Sequence, residues 1–221
     1  MHRLARNTLI VRTLKIPRMT RLVEWHQLHQ ASWPFRRTKD PYRILVSEIM
    51  LRQTTSRQVK SVYNEFFAKY PGVEQLARAN LGQLRKLLQP LGLRKRAETL
   101  VLLAGVIVRK HGGRVPGDIE SLMNLPGVGH YTASCVLSFG FGIPTPMVDV
   151  NVARVLQRLH GVSVGQDSSV LQEIYRKILD QNSVSVHYAL IDLAHKTCTL
   201  KSPQCPKCPL RKDCTFANLA T

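Results

Sequence analysis

The chain has 221 residues, enough for one large domain or two small ones with a substantial core and no disulfides. Apolar residues make up 44% of it, yet no run approaches the roughly 18 to 20 uninterrupted apolar residues of a membrane-spanning helix, so a soluble protein without a membrane partner is expected. Thirty-two Lys and Arg against fourteen Asp and Glu leave a net charge of +18 spread along the whole chain, which points to a polyanionic partner and steeply salt-dependent binding.

Six basic residues, Arg3, Arg6, Arg12, Lys15, Arg18 and Arg21, precede the first acidic one, Glu24. They read as a basic arm reaching the polyanion. An organellar transit peptide shares this composition, but the stretch has no serine and no apolar segment ending in a small-residue cleavage site. From there on apolar residues recur at spacings of three and four with little alternation, so an all-α fold is expected. The helices fall near 18–31, 41–53, 56–69, 73–79, 81–88, 94–111, 118–123, 129–140, 149–160, 168–180 and 184–197. Proline or glycine breaks them at Trp33-Pro34, Pro71-Gly72, Gly112-Gly113, Pro126-Gly127 and Pro144-Thr145-Pro146.

In the second of these helices Glu48 is flanked at helical spacing by Ile44, Leu45, Leu51 and Arg52. Burial on so apolar a face raises a carboxyl pKa and suits an acid, whereas a pair with Arg52 lowers it. Further along, Leu125-Pro126-Gly127-Val128-Gly129-His130-Tyr131 joins a short helix to a longer apolar one through two glycines. Glycines allow a phosphate close to the backbone, and the following helix adds unsatisfied N–H donors and its dipole. An ordinary helix–turn–helix corner reads the same way from these letters alone. The Pro144-Thr145-Pro146 break then delivers Asp149 to the start of a new helix, where it is also a good N-cap.

Near the C-terminus Cys198, Cys205, Cys208 and Cys214 are spaced C-x6-C-x2-C-x5-C, with Cys135 a lone thiol in apolar context. In a basic chain without a signal peptide such clustering reads as a metal site rather than as disulfides, and four thiolates suit zinc or iron–sulfur. Cys135 reads as a small core hydrophobe.

The Leu-Pro-Gly-Val-Gly hairpin, the aspartate twenty residues after Gly129 and the cysteine cluster occur in the order and spacing of the helix-hairpin-helix glycosylases. The chain resembles that superfamily of endonuclease III and MutY-type enzymes from Trp25 to Cys214. The resemblance implies a two-lobed all-α fold with a DNA-binding cleft between the lobes. Residues 31–142 would form a six-helix lobe carrying the hairpin, and residues 1–30 plus 143–221 a terminal lobe with the cysteine loop at 198–214. It also implies a [4Fe–4S] cluster on the four cysteines, structural and DNA-facing because Lys201, Lys207, Arg211 and Lys212 surround them. A zinc knuckle is the alternative.

For the site, the resemblance implies that Asp149 stabilises the positive charge developing on the sugar as a base departs. Glu48 matches a glutamate of the MutY-type and Mig-type active sites. Tyr131 stands where bifunctional relatives carry a Schiff-base lysine, so an enzyme without lyase activity, leaving an abasic site, is expected. Gln53 and Leu93 match the wedges that fill the gap left by a flipped base. Pro126, Gly127, Val128, Gly129 and His130 would hold the backbone, and Arg94, Lys95 and Arg96 would meet phosphates, since a charge run reads no sequence.

Leu51-Arg52-Gln53-Thr54-Thr55, Met147-Val148-Asp149-Val150-Asn151 and Tyr131 resemble most the Mig-type enzymes, which remove thymine or uracil opposite guanine. The expectation is therefore a monomer in base excision repair on mismatched or damaged double-stranded DNA, in the cytoplasm at the nucleoid, with an organelle as the alternative location. The rival within the family is an adenine glycosylase of the MutY type. Such enzymes show a Gln-Gln-Thr-Gln run, a Gly-Leu-Gly-Tyr-Tyr loop and a further C-terminal domain, while this chain ends seven residues after Cys214. The rival from another class is a non-catalytic helix-hairpin-helix DNA-binding module, against which Glu48 and Asp149 speak.

Overall fold

The computed structural model describes residues 16–30, 32–92, 95–166, 168–181 and 185–219, and every regular element among them is helical. The chain divides into two compact units, Ser32–Ile143 and Met1–Ala31 with Pro144–Thr221. α1 (Thr20–His29) belongs to the second.

In the unit Ser32–Ile143, α2 (Pro41–Leu51) begins where Asp40 accepts the Tyr42 N–H at 2.9 Å and Pro41 takes the first helical position. It buries Tyr42, Ile44, Leu45, Val46, Ile49 and Met50, so apolar residues cover it on nearly every side and it becomes the hub of its unit. α3 (Ser56–Lys69) opens with a reciprocal capping box between Thr55 and Gln58. Its Tyr63, Phe66 and Phe67 form an aromatic cluster with Tyr42 and Tyr70, sealed by the Tyr42 hydroxyl on the Tyr70 carbonyl at 2.9 Å. α4 (Val73–Ala77) and α5 (Leu81–Leu88) pack on α6 (Arg96–His111), and α2 contacts α3, α6 and, past α7 (Ile119–Met123), α8 (His130–Cys135).

Several helix ends fall a residue or two from their expected places, and two departures bear on the site. α2 stops at Leu51 rather than at 53, because Arg52 turns extended and Gln53 adopts φ +49°. α8 does not continue regularly to 140: its last turn, Val136–Gly140, is π-helical. There Gly140 lies against Pro41, where an added Cβ would come within 3.1 Å of the proline Cα.

In the other unit, α9 (Val150–His160) buries Val152, Val155, Leu156 and Leu159 and packs against α10 (Ser169–Gln181), α11 (Val186–Lys196) and the short α12 (Thr215–Leu219). α1 docks on α11 through a buried His26–Asp192 pair at 3.2 Å, and Lys196 Nζ donates to the His29 carbonyl. Tyr175 and His187 share a buried hydrogen bond of 2.8 Å between α10 and α11. α12 was not anticipated from sequence; it follows the last cysteine and buries only Ala217.

Candidate functional site

The hairpin lies in the unit Ser32–Ile143, between α7 and α8. Asp118 caps α7 by accepting the Ser121 N–H at 2.8 Å. Leu125 and Val128 are buried under the turn, which the Val128 N–H closes on the Leu125 carbonyl at 3.1 Å. This leaves Gly127, Gly129 and His130 exposed and Pro126 half-buried. Gly127 has φ +74°, and a Cβ there would meet Thr99 Cγ2 at 2.6 Å, so position 127 accepts only glycine without rearrangement. Gly129 is the N-cap of α8 and offers no capping side chain.

Tyr131 is half-buried on the first turn of α8, and Glu48 is half-buried on α2 among buried neighbours. α2 packs directly on α8, and the Arg52 guanidinium at its end donates to the Thr132 hydroxyl at 3.1 Å. Gln53 is exposed and is the one non-glycine residue with positive φ among the described residues. Lys95 is exposed at the start of α6. Leu93 and Arg94 lie outside the described residues.

Arg96 corrects the expectation that it meets phosphate. It is only 5% exposed, and its guanidinium donates to the carbonyls of Leu91 at 2.9 Å and Arg52 at 2.5 Å and to the Thr54 hydroxyl at 2.9 Å. A phosphate contact needs those donors in solvent. Burial and the neighbouring Arg52 charge hold the Arg96 pKa below its ordinary value.

In the other unit, the segment after Pro144 has no regular structure up to Asp149, whose half-buried carboxylate caps α9. Its Oδ1 accepts the N–H groups of Asn151 at 3.0 Å and Val152 at 2.7 Å, while Oδ2 accepts the Asn151 side-chain amide at 3.1 Å. One oxygen is therefore committed to the helix start, and the other keeps acceptor capacity beyond a single amide. Capping and chemistry are compatible.

α9 also bolts down the cysteine loop, a role for Arg154 and Arg158 that sequence reading missed. Arg154 donates to Asn151 Oδ1 at 3.3 Å, to the Ala194 carbonyl at 3.1 Å and to the Cys198 carbonyl at 3.0 Å. Arg158 donates to the carbonyls of Thr199 at 2.7 Å and Leu200 at 2.9 Å, and also reaches Cys198 Sγ at 3.5 Å. Its guanidinium stacks over the Phe216 ring, 4.9 Å from the centroid. The only sequence signal was a basic i, i+4 pair on the helix that follows Asp149.

Cys198, Cys205, Cys208 and Cys214 are all half-buried free thiols, and Cys135 is buried in the core. Burial and the neighbouring thiols push Cys208 up to about 11 and raise Cys214, against backbone N–H donors from Leu210, Phe216 and Ala217. Mutual electrostatic coupling and inward N–H donors fit a thiolate-bound group, because a coordinated thiol is deprotonated outright and the burial cost of its charge is met by the metal. Among the described residues no group of three or more His, Cys, Asp or Glu is gathered as a metal ion would gather it.

This fold, hairpin and capping aspartate define a DNA-repair class. Residues 46–181 match the HhH-GPD superfamily base excision DNA repair protein, and the chain belongs to that superfamily. It is 40% identical to the thymine-DNA glycosylase of Aeropyrum pernix over 208 residues, covering 90% of this chain and 93% of that protein. To the thymine/uracil-DNA glycosylase of Pyrobaculum aerophilum it is 34% identical over 205 residues, 88% and 89% of the two chains. Among solved structures, a thermostable thymine-DNA glycosylase superposes with TM-score 0.82 at 33% identity, covering 91% of this chain and 95% of that one. No helix among the described residues is long and apolar enough to cross a membrane.

Proposed function

We propose that this protein is a monofunctional DNA glycosylase that flips thymine or uracil mispaired with guanine out of duplex DNA and hydrolyses its bond to the sugar. The observation that carries the reading is the 40% identity over nine-tenths of the chain to a thymine-DNA glycosylase.

As the bond breaks, the sugar becomes cationic and the base anionic. Asp149, aimed by two helix amides and the Asn151 side chain, places a carboxylate to stabilise the sugar cation and orient the attacking water. Glu48 is the acid that hydrogen-bonds the departing base, in a site where the apolar face of α2 strengthens such contacts. Tyr131 offers no amine, so no Schiff base forms and the product is an abasic site.

Gly127 admits a phosphate close to the backbone, and Gly129 leaves the first amides of α8 without a capping side chain, so the hairpin holds the DNA backbone through Pro126, Gly127, Gly129 and His130, while Val128, expected to share that role, is buried with its N–H on the Leu125 carbonyl and supports the turn from beneath. Gln53 fills the gap left by the flipped base, Leu93 is the second wedge, and Arg94 and Lys95 meet flanking phosphates. Cys198, Cys205, Cys208 and Cys214 would hold a [4Fe–4S] cluster, which supplies structural cross-linking rather than bond cleavage. Exposed Lys201, Lys207, Arg211 and Lys212 in the same loop present charge to DNA.

Single-turnover cleavage of thymine:guanine, uracil:guanine, adenine:guanine and adenine:8-oxoguanine duplexes at one salt concentration tests this. Alkali-labile nicks are expected for the two pyrimidines. Faster release of adenine would assign the protein to the MutY-type activity, and release of no base would make it a DNA-binding module.

A further inference from the structure

We propose that Arg96 is a positioning residue for base flipping, clamping the turn that carries Gln53 to the short helical turn Gln89–Leu91. The inference rests on the glycosylase reading above.

Residues 52–54 and 89–92 approach each other across roughly forty positions of sequence, and one guanidinium joins them. Arg96 takes the carbonyl of Arg52, the hydroxyl of Thr54 and the carbonyl of Leu91. The Thr54 hydroxyl in turn faces the Arg52 carbonyl at 2.9 Å and the Leu91 carbonyl at 3.3 Å, closing the ring. A second tie lies outside it, where Gln58 Nε2 donates to the Pro90 carbonyl at 2.9 Å.

Gln53 sits between the two gripped residues in a left-handed conformation that a side-chain-bearing residue adopts only at a cost. Bonds on both sides of it hold that conformation while its own side chain stays exposed. A wedge must enter the duplex in one orientation, and a turn free to relax would spend binding energy on ordering itself.

Stability alone accounts poorly for this arrangement. Among the described residues the buried Arg96 has neutral acceptors and no carboxylate partner, and the Arg52 charge beside it is repulsive. An apolar side chain would leave the Arg52 and Leu91 carbonyls without this donor, so satisfying them is part of its role, but that need alone does not call for a charged, planar group. What a planar guanidinium adds is geometry: several donors fixed in one plane, able to hold two loops in register, which the single point of a lysine ammonium does not reproduce.

The test uses duplexes with 2-aminopurine beside thymine in a thymine:guanine mismatch, so that unstacking is read by fluorescence separately from binding and base release. Arg96→Lys is expected to leave affinity within about 3-fold and the salt slope unchanged, while the flipping signal and single-turnover rate each fall about 10-fold or more. In a Gln53→Ala background the same exchange should alter flipping by less than about 2-fold, because the residue it positions is gone. Should Arg96→Lys fail to fold, Thr54→Val removes the hydroxyl from the ring and must show the same pattern at smaller amplitude.

Wild-type flipping in folded Arg96→Lys and Thr54→Val overturns the proposal. So does a loss of affinity with a salt slope smaller by about 1, which marks a phosphate contact. Equal defects with and without Gln53 also overturn it, by showing a general loss of structure. Wild-type protein that raises the fluorescence yet releases neither thymine nor uracil sinks the glycosylase reading and leaves the clamp standing.

Discussion

Asn151 holds Asp149 twice, through its backbone N–H on Oδ1 at 3.0 Å and its side-chain amide on Oδ2 at 3.1 Å. The side-chain carbonyl of the same Asn151 accepts from Arg154, which also holds the Cys198 carbonyl. The capping carboxylate and the start of the cysteine loop are therefore linked through two side chains of one helix.

Asn151→Ala should lower the single-turnover rate by about 10-fold, the equivalent of one lost hydrogen bond to a charged group, with little change in DNA affinity. The backbone amides of Asn151 and Val152 still cap α9, so the melting temperature should move by only a few degrees. An unaltered rate would show that the helix amides alone aim Asp149.

Replacing Asp149 by Asn keeps shape and capping ability but removes the charge. Base removal should fall by about 100-fold or more while DNA binding persists. Borohydride should trap no covalent adduct with either protein, since position 131 carries no amine. Near-normal turnover of Asp149→Asn would reduce Asp149 to a cap, and efficient trapping would identify a lysine nucleophile elsewhere.

Protein purified without air should contain iron and sulfide in equal amounts and absorb broadly in the visible blue. Removing the metal should unfold the Cys198–Cys214 loop, because the four cysteines would lose the group that cross-links them. Cys208→Ser should cost DNA affinity or folding before it alters bond cleavage in the fraction still bound. Zinc alone in such a preparation would replace the cluster by a zinc knuckle.

Burial lowers the His160 pKa to about 4 from an ordinary value of 6.5. The folded protein keeps this ring neutral while the unfolded chain protonates, so the stability it permits is complete above pH 6.5 and is lost as pH falls toward 4. At pH 5 the loss is about 2 kcal/mol by linkage. Urea titrations at pH 7 and pH 5 should show that decline in the wild type and a smaller one in His160→Leu; equal declines would place the acid sensitivity elsewhere.

Helix order was open to reading because its signals are local. Asp40, Thr55, Asn80, Asp118 and Asp149 each cap the helix that follows within a few residues, and glycine or proline punctuates the gaps. The hairpin letters, the place of Asp149 and the cysteine spacing were equally visible, since backbone conformation at a tight turn and ligand spacing in a loop depend on neighbours in sequence. What Arg96, Arg154 and Arg158 do was not visible. In a chain with 32 basic residues each of them looks like one more DNA contact. Only packing turned them inward, onto carbonyls about 40 residues away, because a buried carbonyl that no helix satisfies must find a donor wherever the fold brings one. The same long-range demand ends α2 at Leu51 and sets the backbone of Gln53: Arg96 captures the Arg52 carbonyl, a bond that exists only once α6 lies beside the end of α2.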